Sequence, residues 1–427
     1  MSDAAPNQPK IPTEPTVTQL PFKWSQFIAS AYLPSFLSFI GYGAATPLVA
    51  LSAISLGASV GLSALIAALT GIGMILGDLP ASWVATRFGE KKAMTLACLW
   101  DAIWLTVAFL ASSLPVLSLA VFCFGLSGSV FGLARQSYIT EIVPLKFRAR
   151  ALSSLGGTQR VGGFVGPLIA SAIISWWDLQ AAYGFAAIMS VISAIVTMVM
   201  PDLPDAIRQR RAAQKEPARL FAILAANRHT FLTLGVGVLF VGMVRAVRQT
   251  VLPLWCESLN MDPAHTSLVY ALSMGVDMSL FFVGGFIMDR FGRMWVAVPS
   301  LVVLGMGLIS LSLAHSVAAV IVVAIVLGLG NGVGAGIVMT IGSDSAPVIG
   351  RAQFLSGWRL FGDTGGALGP LILSGITAAL TLTAATIGMG ALGLVGAGWL
   401  GYWIRHSPIG SMHRAAARQR LADTAEH

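Results

Sequence analysis

The sequence predicts an all-α membrane protein: twelve transmembrane helices in two pseudo-symmetric six-helix bundles. Three observations lead there. Of 427 residues, 56% are hydrophobic and only 10% are charged, with mean hydropathy +0.80. Soluble domains carry about 25% charged residues, so a water-soluble enzyme is excluded. The apolar residues also fall in nearly uncharged blocks of about 20, the length that crosses a hydrocarbon core of roughly 30 Å. Finally, the second half of the chain repeats the first.

The spans are expected near 25–50, 58–82, 92–112, 117–139, 151–175 and 180–200, then near 230–256, 265–288, 294–313, 316–341, 350–378 and 381–404. This divides the chain into a disordered Pro-rich tail (1–23), a first bundle (24–200), a charged linker (201–229), a second bundle (230–405) and a basic tail (406–427). Within the linker, Asp205 to Asn227 reads either as an amphipathic helix on the inner leaflet or as a solvated connection.

The net charge of +8 invites a nucleic-acid reading, but the location of the basic residues opposes it. By count, 21 of the 26 Lys and Arg lie in the tails, the linker or alternate loops, among them Arg87, Lys91, Lys92, Arg290 and Arg293. The intervening loops hold Asp178, Glu257, Asp262, His265 and His315 instead. Positive residues stay inside, so both termini and the linker are expected on the cytoplasmic side of the membrane. Three scattered cysteines, Cys98, Cys123 and Cys256, offer neither a disulfide framework nor metal spacing.

Phe147 to Ser171 aligns without gaps onto Gly350 to Ser374, with 11 identities in the last 24 positions. The same offset superposes Arg87-Phe88-Gly89 on Arg290-Phe291-Gly292, Pro144 on Pro347 and Glu141 on Asp344. Composition alone does not hold register over that distance. Two parallel copies of six helices mark a transporter whose bundles rock about a central site.

The motifs sharpen this. GGFIMDRFGR (Gly284 to Arg293), after the eighth span, closely matches motif A of the major facilitator superfamily. The loop after the second span, Gly77 to Lys92, matches it less well, with Thr86 for the usual Asp and Glu90 for a basic residue. GGFVGP (Gly162 to Pro167) resembles motif C of drug antiporters, with Ser153 and Ala170-Ser171 where that pattern has glycines. Over nearly its whole length the chain thus resembles a major facilitator transporter of the twelve-helix drug:proton antiporter type.

The resemblance implies a cytoplasmic gate. Arg87 would pair with Glu141, and Arg290, beside Asp289, with Asp344; the plainer reading is that these charges only fix topology. Gly162, Gly166 and Pro167, with Gly365, Gly369 and Pro370, form small-xxx-small patterns followed by a helix-bending proline. They are expected to let spans 5 and 11 pack against the opposite bundle.

Eight charges fall well inside spans: Asp101, Arg135, Arg160, Arg245, Arg248, Asp277, Arg359 and Asp363. Facing lipid they would together cost about 20–28 kcal/mol, more than the roughly 5–15 kcal/mol stability of a typical domain. They must be paired or face a water-filled cavity, and the arginine excess leaves that cavity positive. Arg245 and Arg248 lie three apart on span 7, which lines the cavity in the resembling family. They read as a fork for a carboxylate, phosphate or sulfonate, with Gln249 adding a hydrogen bond; otherwise one of them pairs with Asp277. Arg135, Arg160 and Arg359 are the further substrate-binding candidates. For proton coupling the order is Asp277, Asp363, Asp101. Arg359 and Asp363 are four apart and suit an intrahelical pair, while Arg160 occupies the repeat position of Asp363 and is expected to meet it. Tyr32, Tyr42 and Pro47 read as cavity residues or interfacial anchors, and Trp176, Trp177 and Trp255 as anchors.

Span 1 contains no acid of the kind many exporters of cationic drugs carry, which argues against a cationic substrate. No GxxxxGK[ST] is present, so ATP is not the expected energy source. No catalytic set, metal site or cofactor is expected, and the chain is not read as an enzyme. The functional expectation is a monomeric, proton-coupled exporter of a small amphipathic or anionic molecule, with membrane lipids as its other contacts. The rivals are a proton symporter taking up an organic anion and a lipid flippase.

Overall fold

A computed structural model describes residues 24–143, 145–202, 220–347 and 350–407. The N-terminal tail, most of the linker and nearly all of the basic tail lie outside the described residues. Twelve long helical segments are present among the described residues. The first bundle comprises α1 (Trp24–Ala45, resumed as Leu48–Ser55), α2 (Val60–Phe88), α3 (Glu90–Phe109), α4 (Leu114–Ile142), α5 (Leu145–Trp176) and α6 (Ala181–Val199). The second comprises α7 (Arg228–Ser258), α8 (Pro263–Phe291), α9 (Met294–Leu311), α10 (Val317–Val333, resumed as Ile337–Ser345), α11 (Arg351–Ala379) and α12 (Leu382–His406).

Ten of these are long and apolar enough to cross a membrane. The other two, α5 and α11, are rich in Gly and Ser and carry Arg160, Arg359 and Asp363. These two are also the helices that reach across to the opposite bundle: α5 packs on α8 and α11 on α2. Several helices run past the expected spans, α2 and α5 by a turn or more at the ends joined by Arg- and Lys-bearing loops. Those ends are called the basic end below, and the others the acidic end.

Local chemistry sets the helix starts at the acidic end. The side chains of Ser59, Asp262, Ser316 and Thr381 accept from backbone N–H groups in the first turns of α2, α8, α10 and α12. At the basic end the motif A turns close on Gly89 (φ +84°) and Gly292 (φ +99°), a conformation that a side chain would strain. In α10 the glycine-rich Gly332 to Gly336 breaks the helix, with Gly336 at φ +79°.

The motif C glycines pack differently from expectation. A Cβ on Gly162 would lie 2.7 Å from Phe39 Cβ, and one on Gly166 would strike the Ile40 carbonyl, both on α1. Gly365 and Gly369 face the Leu239 and Met243 carbonyls on α7. The glycines of the pattern therefore cement each bundle internally. Other residues of the same two stretches face the partner bundle: Gly275 packs on the Phe164 ring and Gly71 on Ala367, with Gly61 on Ala378 further along. Toward the acidic end the bundles are also tied by Ser374 Oγ donating to the Gly61 carbonyl (2.7 Å) and Ser171 Oγ to that of Ala264 (2.8 Å). Trp176 and Trp177 are exposed, as anchors should be; Trp255 is buried, donating to the Ala314 carbonyl at 3.0 Å.

Candidate functional site

A cavity of about 260 Å³ lies between the bundles. Its wall brings together Tyr42 and Pro47 of α1, Gly71 and Met74 of α2, Phe124 of α4, Arg245 and Gln249 of α7, and Asp363 and Pro370 of α11. Both pieces of the first helix, on either side of Pro47, reach the wall. Tyr42 stacks on Phe124 with ring centroids 5.5 Å apart, making a flat aromatic flank. Tyr32 is engaged elsewhere, donating to the Ala151 carbonyl at 3.0 Å.

The expected arginine fork is divided. Arg245 lines the cavity, where its Nη2 donates to the Gly334 carbonyl at 2.6 Å. That acceptor sits at the break in α10, so the unwinding supplies the oxygen that orients the arginine. Arg245 Nε is buried without a hydrogen-bond partner, and no carboxylate lies within ion-pair distance of Arg245 among the described residues. Arg248, three residues on, points into the protein and donates to Ser273 Oγ (3.0 Å) and Asp277 Oδ2 (3.4 Å).

Asp277 is the centre of a dry cluster. It accepts from Arg248, from Arg160 on α5 and from the Asn331 amide on α10, so three helices of the second bundle and one of the first converge on one carboxylate. Its side chain is 5% exposed. Arg160, expected to meet Asp363, reaches Asp277 instead because α5 packs on α8 rather than on α11. The Phe281 ring, 5.1 Å from the Arg160 guanidinium, covers its other side.

A second cluster bridges the bundles at α2 and α11. Arg359 Nε donates to Asp363 Oδ2 at 3.2 Å, the intrahelical pair, while its Nη2 lies 3.7 Å from Asp78 Oδ1 on α2. These three side chains are 20–29% exposed, wetter than the first cluster.

The remaining charges have separate surroundings. Asp101 is buried off the cavity and accepts from Ser127, tying α3 to α4. Arg135 is buried between the rings of Phe39 (5.2 Å) and Phe131 (5.6 Å), with the Gln159 amide oxygen, suitably turned, accepting from Nη1 at 3.0 Å. At the basic end Asp344 pairs with Arg293 (2.8 Å), not with Arg290. The turn at Gly292 sends Arg293 back toward α10 and leaves Arg290 exposed beside Phe291. Asp289 stands 3.9 Å from the same Arg293. In the first bundle the repeat counterpart of Arg293 is Glu90, an acid, so the equivalent pair with Glu141 cannot form; Glu90 accepts from Ser137 at 3.0 Å. Arg87 lies against Trp83 and Phe88.

Three partners escaped the sequence reading. Asp78 falls near the end of its span beside motif A, where charge is ordinary. Asn331 and Ser273 are neutral, and a search for charges passes over them. Asn331, a lone carboxamide in an otherwise apolar and glycine-rich span, was the available signal.

Known proteins agree with this architecture. The sequence model of the Major Facilitator Superfamily matches residues 31–370 and, overlapping, 234–423. Among curated relatives, the chain is 26% identical over 120 residues to the probable anion transporter 6, chloroplastic, of Arabidopsis thaliana, covering 28% of this chain and 23% of that protein. It is 27% identical over 187 residues to the cis,cis-muconate transport protein of Acinetobacter baylyi, covering 43% and 45%. The matched stretches thus span less than half of either relative. Similarity to the multidrug resistance protein MdtH of Enterobacter sp. is 22% over 290 residues, covering 67% of this chain and 70% of MdtH. The nucleoside transporter NupG superposes with TM-score 0.72 at 15% identity (88% of this chain, 99% of NupG), and a D-xylose-proton symporter with TM-score 0.70 at 14% identity (89% and 97%). The chain is a multi-pass membrane protein and belongs to the Major Facilitator Superfamily.

Proposed function

We propose that this chain is a secondary active transporter of a small organic anion, working by alternating access in a bacterial cytoplasmic membrane with both termini inside. The observation that carries the reading is Arg245: a guanidinium in the wall of the central cavity, held by one backbone carbonyl, with no carboxylate within ion-pair distance among the described residues. An unpaired arginine at membrane depth costs about 2.5–3.5 kcal/mol or more unless something neutralises it, and a bound carboxylate does so with charge-assisted hydrogen bonds. Gln249, one residue on, offers a second donor. The stacked Tyr42 and Phe124 rings favour a flat apolar body on the substrate. The resemblance to an anion transporter and a muconate transport protein supports the same class.

A second reading, export of an amphipathic molecule, is favoured by the longer match to MdtH. Thermal stabilisation of the purified chain separates the two. Benzoate and cis,cis-muconate should stabilise the wild type, and Arg245→Ala should abolish the effect. Stabilisation by neutral or cationic amphiphiles, with none by either anion, would favour the second reading; a response only to anionic phospholipids would indicate a lipid substrate.

A further inference from the structure

The two charged clusters that join the bundles are related by the repeat but carry opposite charge. The repeat maps Arg160 onto Asp363 and Asp277 onto Met74. The ion pair actually formed at the equivalent interface, Arg359 with Asp78, sits one helical turn from each of those positions, both toward the basic end. In the α5/α8 cluster two arginines, Arg160 and Arg248, share one carboxylate, Asp277. In the α2/α11 cluster two carboxylates, Asp78 and Asp363, share one arginine, Arg359. The first carries a surplus positive charge and the second a surplus negative one.

We infer that the Asp78–Arg359–Asp363 triad is the coupling-proton site, and that a proton there and an anion at Arg245 bind cooperatively, so that both move in the same direction. This rests on the anion reading above. One arginine neutralises one carboxylate; the second, half-buried between the bundles, is neutralised by a proton. Asp363 shares the cavity wall with Arg245, so the carboxylate of an arriving anion and that of Asp363 repel until one is protonated. By linkage, each ligand raises the affinity for the other. That is the logic of symport; exchange in opposite directions needs each ligand to expel the other. Asp277 serves the role less well, because three donors already satisfy it in a dry site.

The charges around the triad are limited. Besides Arg359 on its own helix, Asp363 faces Asp78 from α2 and Arg245 from α7 across the cavity. On α4 the nearest charge is Arg135, three residues beyond Gly132, whose Cβ position lies 3.6 Å from Arg359 Nη2. The α12 segment from Leu382 to Ile404 contains no charged residue. The triad also spans the bundle interface, Asp78 on one side and Arg359 with Asp363 on the other, so its protonation bears on a contact that rocking must alter.

The test is anion affinity as a function of pH, read by thermal stabilisation of the full-length protein with benzoate and cis,cis-muconate. Between about pH 6 and 8.5 both probes are ionised, since ordinary carboxyls titrate near 4. Wild-type affinity should rise as pH falls, by at most about tenfold per unit for one linked proton. The slope should vanish in Asp78→Asn/Asp363→Asn and survive in Asp363→Glu. A slope that persists in the double variant, or a flat wild-type profile with binding intact, overturns the triad and leaves the anion reading standing. If neither anion binds at any pH, the anion reading fails, and infrared spectroscopy of the ligand-free protein decides on the triad. A carboxylic-acid C=O band appearing on acidification and lost in the double variant is the expected result; an unchanged band refutes the site.

Discussion

Replacing Asp277 by alanine removes the one carboxylate on which Arg160, Arg248 and Asn331 converge. The Arg248 and Arg160 side chains are 2% and 19% exposed, so little solvent is available to take over. Removing one partner of a buried ion pair costs about 3–5 kcal/mol, because an uncompensated charge is left behind. The loss should appear as a destabilisation of that size in reversible unfolding in mixed micelles. A second substitution, Asp277→Ala/Arg160→Ala, should recover part of it, since one of the stranded charges has gone; contacts within one network typically couple by about 0.5–3 kcal/mol. Asp277→Asn keeps an acceptor oxygen and should lose less than alanine. Stability of Asp277→Ala within about 0.5 kcal/mol of wild type would refute the view that this carboxylate clamps α5 to α7, α8 and α10.

Further expectations follow from the same geometry. Gly284→Val should prevent close packing of α8 on α10, because a Cβ there would strike the Val333 carbonyl; it should lower folded yield sharply, whereas Gly285→Ala, with open space, should not. Disrupting the exposed Arg293–Asp344 pair by Arg293→Ala should change stability by no more than about 1 kcal/mol, while shifting the reactivity of cysteine probes placed at the basic end; unchanged probe reactivity would remove that pair as a gate. Asp101→Asn should leave anion binding within twofold of wild type, since Asp101 lies off the cavity and accepts from Ser127 on α4; a large loss would contradict that placement.

The fold was legible because its signals are long-range and redundant. Hydropathy, alternating loop charge and a repeat held in register over Arg87, Glu141 and Gly162 all describe one architecture. The identities of the charged residues in the spans were legible too, since each is too costly to be accidental. Their partners were not. Arg245 and Arg248 share a helix face by spacing, yet the break in α10 presents a carbonyl to one while Asp277 captures the other. Arg160 and Asp363 coincide in the repeat, yet coincidence in a repeat places residues at equivalent interfaces, not at the same one. The gate pair failed by three residues for a local reason: Gly292 turns the chain before Arg293, so the first residue past the turn, rather than Arg290 in the last turn of α8, faces Asp344. Periodicity fixes which face a residue occupies, but which neighbour meets that face is decided by tertiary packing.

The most direct measurement is counterflow in proteoliposomes, with labelled benzoate or cis,cis-muconate outside and the unlabelled anion inside. The account predicts saturable exchange by the wild type and its loss in Arg245→Ala, with the variant still folded and inserted. Exchange undiminished in Arg245→Ala, or movement of neutral amphiphiles or lipid analogues with no movement of either anion, would contradict it.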